Sequence, residues 1–103
     1  MVMLLSQIKD MVSKFGNYAE VVETDRGLIV SLFEFKTDFG YGDVQTNSEE
    51  VEETIKKLEK RFSLITGDEN PEIDSFVRNA LELPEDDFTI GDERIYRTML
   101  VEI

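Results

Sequence analysis

The side chains of this chain that could do chemistry are almost all carboxylates. Twenty-three Asp and Glu stand against 11 Lys and Arg, with no Cys, no His and no Trp. Asp68, Asn70, Glu72 and Asp74 alternate along one segment, a spacing that superficially resembles calcium ligation. An EF-hand loop also needs a Gly at its sixth position and a bidentate Glu at its twelfth, and both are missing. Asp86 and Asp87 could hold magnesium beside a phosphate, but adjacent acids in a turn are ordinarily solvated. Gly40-Tyr41-Gly42 is not followed by Lys-Ser/Thr and lacks the third Gly of a dinucleotide fingerprint, so it reads as a tight turn and not a phosphate loop. Without His or Cys there is no zinc site of the usual kind, no disulfide framework, no Ser-His-Asp or Cys-His catalysis and no haem ligation by His. No catalytic residue, metal or cofactor is expected, and the chain is read as non-enzymatic.

The formal net charge of -12 bears instead on partners. It opposes direct binding to the phosphate backbone of nucleic acid. The acids are also unevenly placed. Thr66 to Glu93 carries ten of them with Arg78 as the one base, whereas Met1 to Ile65 has 12 acids and eight bases. Clustered acids keep a protein soluble, and they also steer a basic protein partner to its docking surface. The residues expected to form such a partner-binding surface are Asp68, Glu69, Glu72, Asp74, Glu85, Asp86, Asp87, Asp92 and Glu93. Phe88, Tyr96 and Tyr41 are the candidate aromatic anchors. An inhibitor or modulator of a nucleic-acid-binding protein has this profile: an immunity protein, a phage anti-defence protein or a DNA mimic.

The elements that must position these residues follow from periodicity. Leu4, Ile8, Met11 and Phe15 recur at helical spacing, with a stop at Gly16-Asn17. Tyr18 to Thr24 and Leu28 to Phe39 read as a hairpin around Asp25-Arg26-Gly27. In its second strand both faces are apolar at first, Leu28, Val30 and Leu32 on one side and Ile29 and Phe33 on the other, which predicts a central strand covered twice. Thr46 and Glu49 have capping-box spacing, and the helix they open carries Val51, Ile55, Leu58 and Phe62. Glu52-Lys56 and Glu53-Lys57 are spaced as intrahelical ion pairs. Leu64-Ile65 is a short apolar piece, read as a strand end. Pro71 opens a third helix through Ile73, Phe76, Val77, Ala80 and Leu81, which ends at Leu83-Pro84. Phe88 to Ile90 and Arg94 to Ile103 form a second hairpin.

The expectation is a single α+β domain over residues 1–103, ordered helix-hairpin-helix-helix-hairpin, with a mostly antiparallel sheet and helices on at least one face. Hydrophobic residues make up 41% of the chain, enough for a core, so the acidity does not imply disorder. No apolar run approaches a membrane span, and Met1 to Leu5 lacks the flanks of a signal peptide, so a cytoplasmic protein is expected. A homodimer through an exposed strand edge, Arg94 to Ile103, is a further expectation.

Thr24 to Leu32 (TDRGLIVSL), Phe39-Gly40, the helix Glu49 to Phe62 and the final Leu100 to Ile103 together resemble OmpA-like peptidoglycan-binding domains. The resemblance covers about half the chain and implies a structural or scaffold module. The family's binding motif is not matched: Gly67-Asp68-Glu69-Asn70-Pro71 stands where a His-Thr-Asp strand end and an Asn…Leu-Ser…Arg-Ala helix start are found. No peptidoglycan-binding residue is carried across.

Overall fold

The computed structural model describes residues 2–40, 42–83, 88–89 and 92–102. Its framework is a pair of long antiparallel strands, β2 (Gly27–Gly40) and β6 (Asp92–Glu102), paired from Gly27↔Glu102 to Thr37↔Asp92. Fourteen residues of β2 at about 3.3 Å each span about 46 Å, which accounts for the 47 Å long dimension of the molecule. β1 (Ala19–Thr24) forms a hairpin with β2 through Thr24↔Gly27. β3 (Asp43–Thr46) folds back on the far end of β2. β4 (Leu64–Thr66) pairs with Met99–Val101, and β5 (Phe88–Thr89) pairs with the start of β6. All five pairings are antiparallel, and the central order is β1-β2-β6-β4.

Among the described residues, three helices, α1 (Val2–Val12), α2 (Ser48–Arg61) and α3 (Pro71–Leu81), join the sheet in an α+β structure. A 3-10 turn, Ser13–Tyr18, links α1 to β1. Alternation along β2 sorts the core. Leu28, Val30 and Leu32 pack with Met99 and Val101 against Ile8, Val12 and Phe15 and against Val51, Ile55 and Leu58 of α2. Ile29 and Leu100 face the opposite way, onto Ile73 and Val77 of α3. The two-sided strand expected from the apolar pattern is thus covered by α1 and α2 on one face and α3 on the other. No helix among the described residues is long and apolar enough to cross a membrane.

Backbone accounting explains the edges. β2's outer edge meets β1 up to Leu32 and β3 from Lys36 onward. Asn47 fills the gap: its Oδ1 accepts from the Phe35 N–H at 2.9 Å, and its Nδ2 donates to the Phe33 carbonyl at 2.8 Å. The expected Thr46–Glu49 capping box is therefore replaced. Asn47 occupies the N-cap position without capping, while Thr46 Oγ1 accepts from the Ser48 N–H. Asn47→Ala leaves both β2 groups unpartnered and is expected to cost about 2 kcal/mol by urea denaturation. A loss of only a few tenths would show that water replaces both bonds.

β6's outer edge is covered in part, in the same piecemeal way. Its Met99–Val101 pairs with β4, the Gly67 N–H donates to the Thr98 carbonyl, and Arg78 Nη2 donates to the Tyr96 carbonyl. The expectation of an exposed Arg94 to Ile103 edge is corrected over Met99–Val101, which β4 covers, and Ile103 is outside the described residues. β1 is an outer strand of the central order, and its exposed Glu20 and Glu23 oppose pairing with another edge.

Candidate functional site

The β1–β2 register carries aromatic residues onto one patch. Ala19 pairs with Leu32, so Tyr18, one residue earlier, comes beside Phe33 on the α3 face. Phe33 in turn pairs with Tyr96 on β6. Tyr18 and Phe33 stack at 5.5 Å between ring centroids, and Tyr96 meets Phe33 edge-on at 5.1 Å. Phe35 extends the cluster, 5.7 Å from Tyr18. α3 covers the neighbouring part of this face and stops short of the rings. Between its C-terminal end and the rings lies a groove of about 450 Å³. Tyr18, Phe33, Tyr96, Leu81 and Leu83 supply its apolar and aromatic walls, and Glu20 and Glu82 its acids. Tyr18 is half exposed there, at 50%.

The end of α3 shapes that rim. Glu82 closes the helix in the left-handed region (φ 52, ψ 45), with its N–H on the Asn79 carbonyl and that of Leu83 on the Arg78 carbonyl. A residue other than Gly or Asn is uncommon in this conformation. At the other end, Asn70 caps α3: its Oδ1 accepts from the Glu72 and Ile73 N–H groups. That oxygen is thereby committed to the helix. Glu72 and Asp74 lie in the first turn, where the helix dipole favours acids. Among the described residues no group of three or more carboxylates could hold a metal ion.

The carboxylates expected on one partner surface are distributed. Asp74 accepts from Thr98 Oγ1 at 2.6 Å and from Arg78 Nε at 3.0 Å, and so fastens α3 to β6. Asp68 accepts from Arg97 Nη2 at 2.6 Å. Glu69 and Glu72 are exposed beside the start of α3. Asp92 and Glu93 open β6, at the end of the strand remote from β4. Glu85, Asp86 and Asp87 lie outside the described residues, as do Tyr41 and the side chains of Phe88, Asp92 and Glu93. Of the expected anchors, Tyr96 is in the groove wall. Tyr18, Phe33, Glu20 and Glu82 are not among the expected partner-binding residues or anchors. The two-residue turn at Asp25-Arg26 held the signal for Tyr18, because counting back from it pairs Tyr18 with Phe33.

On the opposite face, Arg97 gathers three carboxylates. Its Nη1 donates to Glu34 at 3.0 Å and also to Glu52, and its Nη2 donates to Asp68. Burial works against the Arg97 charge. The hydrogen bonds to Glu52 and Glu34 and the charge of Asp68 outweigh it and raise the guanidinium pKa above its ordinary value. The intrahelical Glu52-Lys56 pair does not form because Glu52 turns to Arg97. No protein-family model, curated protein or solved structure matches the chain.

Proposed function

We propose that this chain is a non-enzymatic binding domain that docks a basic protein on the α3 face of its sheet. The observation that carries this reading is the aromatic cluster, with Tyr18 half exposed, beside a groove with Glu20 and Glu82 in its lining. Aromatic rings supply large contact area at low entropic cost, and their faces attract Arg and Lys. The two glutamates favour the same cationic side chains. The net charge of -12 adds long-range steering that speeds encounter with a basic surface. In sequence, Glu85, Asp86 and Asp87 come next after Glu82-Leu83-Pro84 and add to the acidity of this stretch. A nucleic-acid-binding protein presents such a basic surface, so the role proposed is inhibitor or modulator of one, as an immunity, anti-defence or DNA-mimic protein.

The test compares wild type with Tyr18→Ala/Glu20→Gln, both exposed positions, in capture from cell lysate at low salt, followed by titration of the purified partner. A basic DNA- or RNA-binding protein that binds wild type and loses about 30-fold in affinity on the double substitution is the expected result. Equal binding by both chains would overturn the assignment of this face. Retention of peptidoglycan in place of a basic protein would favour the scaffold alternative suggested by the OmpA-like segments.

A further inference from the structure

A second groove, of about 350 Å³, lies on the other side of the molecule, between α1 and α2. Its lining is Met11, Lys14, Thr54, Lys57, Lys60 and Arg61. Four cations therefore converge on one concavity of a protein in which acids outnumber bases two to one. Among the described residues none of the four has a carboxylate within ion-pairing distance. Glu53, spaced to pair with Lys57, does not reach it. Arg78 and Arg97 show the contrast, since both are held by carboxylates.

The helix dipole accounts for Lys60 and Arg61 in the last turn of α2. It does not account for Lys14, which comes from another element. The cations are also partly positioned before any ligand arrives. Arg61 lies 3.9 Å from Met11 Sδ, and the Lys14 ammonium stands 5.3 Å from the Phe15 ring centroid. Four like charges around one groove repel one another, and an anion there relieves that repulsion. Lys ammoniums and an Arg fork both suit phosphate oxygens. The volume falls in the small-molecule range, and Met11 with the lysine stems offers an apolar wall. The acidity of the remaining surface repels an extended polyanion more than a small one, because screening confines each charge to about 8 Å at physiological salt.

We propose that this groove binds a small organic phosphate carrying two or more negative charges. ADP and pyrophosphate are the probes, followed by amide chemical shifts on the full chain at low salt. Saturable shifts at Lys14, Thr54, Lys57 and Arg61 are expected with ADP, with none for adenosine. Lys57→Gln/Arg61→Gln is expected to weaken ADP by at least about tenfold. Lys9→Gln/Lys56→Gln, outside the groove lining, leaves it within about twofold. Failure of both phosphates to saturate overturns the proposal, and so does an equal loss in the two double variants. Tighter binding of a short DNA duplex than of ADP also overturns it, in favour of nucleic acid. None of these outcomes depends on the aromatic face.

Discussion

Arg97→Met is expected to destabilise the protein by about 3 kcal/mol at neutral pH, roughly a 15 °C fall in Tm. The reason is what it leaves behind. Arg97 is 14% exposed and Glu34 17%, so the Glu34 carboxylate stays in a place where water can solvate it only in part. Glu52 and Asp68, at 49% and 60%, recover more of their hydration and contribute less. The three carboxylates converge on one point, so they also repel once the guanidinium is gone. Arg97 holds its charge, since its pKa is raised above an already high value. Glu34→Gln in the Arg97→Met background should restore part of the loss, and urea midpoints of wild type and the two variants read both effects. A Met variant as stable as wild type at neutral pH would show that the cluster is solvated and worth nothing.

The same cluster marks where sequence reading stopped. Arg97 belongs to the series Ile95, Arg97, Met99 and Val101, and Glu34 to Leu28, Val30, Leu32 and Glu34. A charge in the core-facing register of each of two strands was legible, and strand pairing puts the two side by side. Glu52 and Asp68 were not legible, because their approach depends on how α2 and the β4–α3 loop sit on the sheet. The local expectation for Glu52, a pair with Lys56, lost to a better desolvated tertiary partner. Asn47 repeats the lesson. Its neighbours Thr46 and Glu49 have capping spacing, but two open groups on β2 at Phe33 and Phe35 claim the Asn47 side chain. Periodicity reports which face a residue takes. It does not report which strand edge needs a polar side chain to close it.

The candidate site divides along the same line. Acidity and Tyr96 could be read directly, whereas the groove required knowing that α3 ends beside the Tyr18–Phe33 stack. Charge counting also overstates a patch when the fold neutralises some of its members. Asp74 is bound to Arg78 and Thr98, and Asp68 to Arg97, so neither offers a partner the full attraction of a free carboxylate. The acids left to a partner around this face are those without an internal cation, and Glu20 and Glu82 are the ones set beside aromatic rings.

Gly27→Ala is expected to cost at least about 3 kcal/mol. Gly27 opens β2 just after the Asp25-Arg26 turn, with a φ of +140. The larger constraint is spatial. A Cβ there would stand 2.2 Å from the Val101 carbonyl oxygen, a backbone atom. β6 cannot yield locally, because Gly27 pairs with Glu102 and Leu28 with Val101, and Leu28 and Val101 are both fully buried in the larger core cluster. Moving Val101 thus disturbs the β4 pairing at Leu64 as well. Gly42 is the control that separates the two causes. It also has a positive φ, +83, but open space where its Cβ would go. Gly42→Ala should cost only the backbone strain, about 1 kcal/mol. Chemical denaturation of both variants reads the difference. Equal losses would mean that the β2–β6 approach has slack, and that the tight packing of these two strands is not what holds the sheet together.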